Sequence, residues 1–493
     1  MSESESIAIS DLMESSGVKF GTSGARGLAD DMTDRVCYAY SLAFLQYLLE
    51  TGDINKGDQV AIAGDFRPST PRIMAAVAKA VSDAGCEPVN CGFIPTPAVA
   101  CFAMARKIAS IMVTGSHIPD DRNGIKFYKP AGEILKGDEQ ALCARQLTIP
   151  AALRENRELP LPLEQADAYR EYVKRYLDFF PTGCLEGLKI GIYEHSSVDR
   201  DILAEVIAGL GAEIVGLGRS KTFIPVDTEA IRPEDVLLAR EWSREHGLDC
   251  IVSTDGDGDR PLVSDEHGQW LRGDVAGILC AHYLGATHVV TPVSSNSAVE
   301  KSGWFNQVDR TRIGSPFVIE AMDAAVTGGE GNVVGYEANG GFLTATDIEM
   351  DGRTLTALPT RDAVIVPLAI LMLAKSFKCS VSELLTRLPQ RFTSSDRLKA
   401  FPTELSREKL APLNTPDMDG NKRAARAILG DVFGDVVLID NTDGVRITFS
   451  NGEVVHLRPS GNAPELRCYN EADSEARAVE MNKLCLGILA GWR

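Results

Sequence analysis

Three carboxylates alternate with glycines in Asp255-Gly256-Asp257-Gly258-Asp259, with Arg260 next, following the apolar run Cys250-Ile251-Val252. Side chains at alternate positions of such a loop can turn inward around one hard cation, and an all-oxygen set suits Mg²⁺ or Ca²⁺. Asp255, Asp257, Asp259 and Glu266 also fall on the spacing of a helix-flanked Ca²⁺ loop, but Arg260 stands where that loop turns on glycine. The residues before the triad read as strand, not helix. A solvated acidic turn is the plain alternative.

A second segment, Val113-Thr114-Gly115-Ser116-His117-Ile118-Pro119, follows the apolar run Ile108–Val113. A serine just past a strand end sits where α/β folds place ligands. Thr114 replaces the first glycine of a hydrolase nucleophile turn, so that chemistry is disfavoured, and a helix-capping serine is the alternative. Lys126 follows closely and could steer a proton or a phosphate. In a third segment, Arg458-Pro459-Ser460-Gly461-Asn462, an arginine and a hydroxyl flank a loop with free N–H groups, which makes an anion nest; an ordinary Pro/Gly turn is the alternative. In a fourth, Glu337 and Asn339 on the glycine-rich Gly335–Gly341 could bind vicinal sugar hydroxyls, or form only an irregular turn. A fifth, Lys19–Gly27, presents Arg26 among glycines as an anion-facing loop. Arg67 adds a further cation, although a lone arginine of either kind is commonly a surface residue.

The elements that must position these loops repeat. Gln59–Gly64 reads as strand, a polar loop follows, then a helix over 71–84 ended by Gly85 and a second strand. Leu188–Tyr193, a helix over Ile202–Gly209 and Ala212–Leu217 repeat the pattern, and Thr287–Pro292 begins a looser third copy. Strands alternating with helices predict parallel α/β units. The chain's end differs: Val445–Phe449 and Val454–Leu457 alternate around Asn451-Gly452, a hairpin signal, followed by a strand near Glu465–Tyr469 and a helix from about Ser474. The expected domains are 1–158, 159–262 and 263–388, all α/β, and a C-terminal α+β domain, 389–493, with a hinge before about Thr393.

The 493 residues, 44 % hydrophobic and 24 % charged, suit about three domains with large cores, four being within reach. The net charge of −19 argues against nucleic-acid and anionic-membrane partners, while a few buried cations can still focus a local positive potential for a small anion. Eleven scattered cysteines without a C-x-x-C pair predict reduced thiols and a cytoplasmic protein, and the acidic, polar start is unlike a signal peptide. The most apolar run, Ala363–Ala374, is too short to span a bilayer.

In this order and spacing the five segments resemble the α-D-phosphohexomutase family, from about Lys19 to about Tyr469. The resemblance implies three related α/β domains and a C-terminal α+β domain around a central cleft, each giving one loop. It implies interconversion of hexose 1-phosphate and hexose 6-phosphate, with mannose phosphate expected and glucose phosphate next. Ser116 would be the phosphoserine, and Asp255, Asp257 and Asp259 would hold Mg²⁺ together with the group on Ser116. Lys126 and Arg26 would stand at the proton-transfer step. Arg260 would lie beside the Mg²⁺ site and bind substrate, Glu337 and Asn339 would read the sugar, and Arg458, Ser460, Gly461, Asn462 and Arg467 would bind the distal phosphate side. A hexose 1,6-bisphosphate would be the intermediate and activator. The expected partners are small-molecule sugar phosphates, with the chain a monomer or homodimer. Departures from the family pattern fall in the loops: Gly115 and Ile118 replace alanine and asparagine, Gly341 stands where some members carry histidine, and Ile313–Val318 and Asn462-Ala463 also differ. A metal-dependent sugar-phosphate phosphatase and an inactive sugar-phosphate binder or Ca²⁺ sensor are the competing classes.

Overall fold

The computed structural model describes residues 4–21, 24–150, 153, 159–329, 331–460 and 464–493. The strands Ala109–Val113, Cys250–Thr254 and His288–Pro292 are mostly apolar or β-branched and are buried along their whole length. Such continuous burial belongs to parallel sheets covered by helices on both faces.

Three units share one strand order. In the first, Glu87–Asn90, Gln59–Gly64, Ala109–Val113 and Arg122–Lys129 are neighbours in that sequence; the first three run parallel and the last returns antiparallel. The second repeats it with Glu213–Leu217, Lys189–Tyr193, Cys250–Thr254 and Pro261–Val263. The third repeats it with Gln307–Thr311, His288–Pro292, Val333–Tyr336 and Phe342–Thr344. Each unit therefore owns an equivalent connection, from the carboxyl end of a buried parallel strand to its antiparallel partner. That connection carries Ser116 in the first unit, Asp255–Asp259 in the second, and Glu337 and Asn339 in the third.

The boundary expected at 262 falls inside Pro261–Val263, a strand of the second sheet. Its pairing of Thr254 with Pro261 closes the acidic loop at both ends. In the first unit the sheet is extended by Ala25–Leu28, which pairs with Arg122–Lys129 and sets Arg26 opposite Gly124. The apolar run becomes the helix Ile365–Phe377, with Pro367 in its first turn, where a missing N–H costs nothing. Among the described residues no helix is long and apolar enough to cross a membrane.

The fourth unit is a five-stranded antiparallel sheet in the order Phe392–Lys399, Glu465–Ala472, Val454–Pro459, Val445–Phe449, Val436–Asp440. One apolar core runs through the first three units, through Tyr176, Ile190, Val252, Leu279 and Val334. The fourth has its own, around Phe401, Leu429, Phe449 and Leu457. The joint between third and fourth is polar: Asn296 donates to the Arg391 carbonyl at 2.8 Å and Arg391 pairs with Glu471 at 2.6 Å. All eleven cysteines are free thiols.

Candidate active site

Ser116 is 1 % exposed and has a φ of 58°, in the left-handed region that a non-glycine residue enters at a cost of about 1–2 kcal/mol. No helix begins at Ser116, so it is not a capping serine. The strain is held by Arg67, which is buried rather than a surface or anion-facing cation. Its guanidinium donates to the carbonyls of Ser116 (2.8 Å), Ile118 (2.6 Å), Pro119 (2.6 Å) and Arg122 (3.0 Å), and pairs with Asp65 at 3.0 Å. A Cβ on Gly115 would lie 2.6 Å from Arg67 Cζ, so the glycine makes room for this brace.

The serine hydroxyl donates to Asp255 Oδ2 at 2.6 Å, across the boundary between first and second units. Asp255 Oδ1 accepts from the N–H groups of Asp259 and Arg260, both at 3.3 Å, which curls the acidic loop on itself. Gly258 has a φ of 69°, and a Cβ on Gly256 would stand 2.8 Å from the Ser116 carbonyl oxygen, so the two glycines permit the turn and the close approach respectively. All three aspartates are fully buried, which removes the solvated-turn reading. The Ca²⁺-loop reading also fails, because Glu266 is engaged elsewhere by Ser380 Oγ at 2.7 Å and the Ser382 N–H at 3.1 Å.

Lys126 Nζ donates to Asp257 Oδ2 and Asp259 Oδ2, each at 2.6 Å, and Thr96 Oγ1 donates to Asp257 Oδ2 at 2.7 Å. The other oxygens, Asp257 Oδ1 and Asp259 Oδ1, are buried without a hydrogen-bond partner. One carboxylate oxygen from each of the three aspartates lies within 4.8 Å of the others. Orphaned, buried, all-oxygen donors converging on one point fit a divalent hard cation. Burial and the two neighbouring carboxylates push Asp255 well above the usual carboxylate range. Burial is the largest single influence on Asp257 and Asp259 and works upward, but the charge and hydrogen bonds of Lys126 with Thr96 together outweigh it for the first, and the charges of Arg361, Lys126 and Arg260 together for the second, so both are lowered.

Next to the triad, joined to it by Arg260 and Arg361, which pair with Asp259, opens a cleft of about 480 Å³. Arg26, His117, Arg260, Glu337 and Asn339 line it from the first three units; Arg397, Arg467 and Tyr469 line it from the fourth. Burial and the charge of Arg260 bring Arg26 down to about 10 and His117 to about 3. His117 Nδ1 accepts from Arg260 Nη1 at 2.9 Å, leaving the proton on Nε2. The glutamate turn closes with Glu337 N–H on the Gly341 carbonyl at 3.0 Å, and Thr228 Oγ1 of the second unit donates to the Asn339 carbonyl at 2.7 Å.

The structure thus gathers Ser116, the three aspartates, Lys126, Arg26, Arg260, Glu337, Asn339 and Arg467 at one place. Arg458 is not part of the cleft lining; it is ion-paired with Asp443 at 2.9 Å, and Ser460 N–H bonds to the Glu465 carbonyl at 2.8 Å. Gly461 and Asn462 lie outside the described residues. Sequence reasoning passed over Arg361, which sits in no glycine-rich or alternating motif, and Asp227, Glu229 and Arg397, isolated charges on a loop and a strand.

Four domain families match along the chain: "Phosphoglucomutase/phosphomannomutase, alpha/beta/alpha domain I" over residues 17–150, domain II over 167–268, domain III over 272–392, and the C-terminal domain over 413–483. A phosphomannomutase of Salmonella muenchen is 44 % identical over 471 residues, 96 % of this chain and 95 % of its own length. A phosphomannomutase of Sinorhizobium fredii is 44 % identical over 480 residues, 96 % of this chain and 99 % of its own. The crystal structure of a phosphoglucomutase/phosphomannomutase family protein from Burkholderia thailandensis shares the fold, with a TM-score of 0.73 at 20 % identity over 96 % of this chain and 97 % of that one. With all four domains matched in order around the serine, the acidic loop and the cleft-lining glutamate, the chain belongs to the phosphoglucomutase/phosphomannomutase family.

Proposed function

We propose that this protein interconverts hexose 1-phosphates and hexose 6-phosphates through a phosphorylated Ser116, with mannose phosphate as substrate. The observation that carries the reading is the buried contact of Ser116 Oγ with Asp255 beside two orphaned carboxylate oxygens, linked through Arg361 on Asp259 to a cation-lined cleft. The nearly full-length identity to phosphomannomutases supports the choice of mannose.

In this reading the free hydroxyl of the hexose phosphate attacks the phosphorus on Ser116. The Ser116 Oγ–P bond breaks as the new O–P bond forms, giving a hexose 1,6-bisphosphate. The intermediate turns over in the cleft and returns its other phosphoryl group to Ser116. Asp255, Asp257 and Asp259 would hold Mg²⁺, which when bound would neutralise charge on the transferring group. Arg260 and Arg26 add fixed positive charge at the same place. The proton of the attacking hydroxyl ends on the released Ser116 Oγ, and Lys126 and Arg26 stand as cations beside this transfer. Glu337 and Asn339 accept and donate to sugar hydroxyls, while Arg467 receives the distal phosphate; Arg458, held by Asp443 outside the cleft lining, would join it with Ser460, Gly461 and Asn462 only when the fourth unit moves. The separate core of the fourth unit and its polar joint at Arg391 suit the opening that turnover of the intermediate requires. The reading extends to a cytoplasmic enzyme, activated by hexose 1,6-bisphosphate.

The test is ³¹P NMR of the purified protein with Mg²⁺ and catalytic glucose 1,6-bisphosphate, offered mannose, glucose and glucosamine 1-phosphates separately. Conversion to the 6-phosphate without free phosphate is expected, fastest for mannose. Release of inorganic phosphate would mean a phosphatase. Ser116→Ala should lower kcat by at least ~10³, about 4 kcal/mol in barrier; a variant keeping over a tenth of its activity would exclude the covalent route.

A further inference from the structure

Arg361 stands just before the helix Ile365–Phe377, is 3 % exposed, and lines the same cleft as Glu337 and Arg260. Its guanidinium reaches in two directions. Nε and Nη2 donate to Asp259 Oδ2 at 3.1 and 2.8 Å, and Nη1 donates to Glu337 Oε2 at 3.1 Å. One planar fork therefore joins a carboxylate of the acidic loop in the second unit to the sugar-facing carboxylate of the third. On Asp259 it uses the oxygen shared with Lys126 and leaves Oδ1 orphaned toward the cation position. On Glu337 it uses one oxygen only.

The stem of Arg361 crosses Gly341. A Cβ there would lie 2.4 Å from Arg361 Cδ and 2.7 Å from Cγ. Gly341 has no left-handed φ, so its backbone would accept alanine; the arginine is what fills the space. The glycine of the sugar loop and the arginine of the neighbouring segment are therefore matched.

We propose that Arg361 is a positioning residue that holds Glu337 in its sugar-binding orientation by anchoring it to Asp259, and that Gly341 exists to let it pass. This rests on the functional reading above. Without Arg361 two buried carboxylates would face the cleft with one fewer cation, and Glu337 would be free to rotate away from the sugar.

The experiment compares wild type, Arg361→Gln, Arg361→Lys, Gly341→Ala and the Gly341→Ala/Arg361→Gln double variant. Mannose 1-phosphate binding is measured by calorimetry, and Mn²⁺ binding in the absence of sugar by electron paramagnetic resonance; wild-type turnover is recorded separately. Losing one charge-assisted hydrogen bond on Glu337 should weaken sugar-phosphate binding about 10–100-fold in Arg361→Gln. Arg361→Lys, with the charge but no fork, should recover only part of it. Mn²⁺ affinity should hold or rise, because a cation has left its neighbourhood. Gly341→Ala should weaken sugar binding in the same way, and the double variant should be no worse than Arg361→Gln alone, since both remove one contact. Unchanged sugar binding in Arg361→Gln overturns the proposal. So does a parallel loss of Mn²⁺, which would make Arg361 a strut of the acidic loop only, and so do fully additive effects of the two substitutions. Wild-type turnover with any of these results refutes this inference alone; a wild type that neither binds nor converts sugar phosphates refutes the functional reading with it.

Discussion

Replacing Arg67 with methionine removes the guanidinium that braces the serine loop while keeping an apolar stem against the Phe223 ring, which Arg67 Cζ now faces at 4.1 Å. Asp65 then stays buried without its cation, and breaking a buried pair from one side costs about 3–5 kcal/mol. Thr70 Oγ1 and Thr114 Oγ1 still donate to Asp65, each at 2.8 Å, which pulls the figure to the lower end. The Ser116 carbonyl is buried and loses its donor, adding about 1 kcal/mol or more. Water can replace the donors to Ile118, Pro119 and Arg122, which are partly or fully exposed. The sum is about 4 kcal/mol, carried by the first unit. Urea unfolding followed by circular dichroism, with hydrogen exchange of the peptide over 109–124, reads it; the midpoint of the first unit should fall and exchange in 114–122 should rise. Asp65→Asn/Arg67→Met should recover about 2 kcal/mol by removing the stranded charge. An unchanged midpoint with weaker sugar-phosphate binding would refute this reasoning and make Arg67 an anion ligand.

Asp257→Asn should raise the Mg²⁺ concentration for half-maximal activity about tenfold or more, and an unchanged Mn²⁺ titration would remove Asp257 from the cation site. Gly256→Ala places a methyl 2.8 Å from the Ser116 carbonyl, a backbone atom that cannot swing aside; a loss of about 1–3 kcal/mol in stability with a fall in kcat is expected, and wild-type values in both would show that the loops tolerate separation. His456 is buried, its Nε2–H donating to the Asp443 carbonyl at 2.6 Å, and burial first, then Arg446 and Arg458, lower its pKa from 6.5 to about 4. Between those values the unfolded chain binds a proton that the fold refuses, so stability rises with pH in that window. It is lost on acidification by up to about 1.4 kcal/mol per pH unit, and His456→Gln should flatten the profile. Parallel urea midpoints for the two proteins at pH 7, 6 and 5 would exclude His456 as a source of acid sensitivity.

Most of the chemistry was legible in the chain because it is local. The alternation of Asp255, Asp257 and Asp259 with glycines, the hairpin around Asn451-Gly452 and the strand-loop-helix repeats each need only a few consecutive residues to be recognised. Even the class of ligand follows from oxygen donors at alternate positions. What local reading missed was made by contacts between segments far apart in sequence. Arg67 looked like a free cation because its acceptors, the carbonyls of Ser116 through Arg122, carry no side-chain signature. Arg361 looked like nothing, because its partners, Asp259 and Glu337, come from two other loops.

By itself, then, the sequence determined which loops bear the candidate groups and what kind of strand ends hold them. Only the tertiary structure decided how those loops meet. The same connection is used in three similarly ordered sheets, and one apolar core joins the three units, so the serine, the acidic triad and Glu337 are gathered into one site. The reason is physical: charge and hydroxyl types are properties of residues, but a 2.6 Å contact between Ser116 and Asp255, or one guanidinium shared by two carboxylates, exists only after burial has excluded water and packing has set the distance.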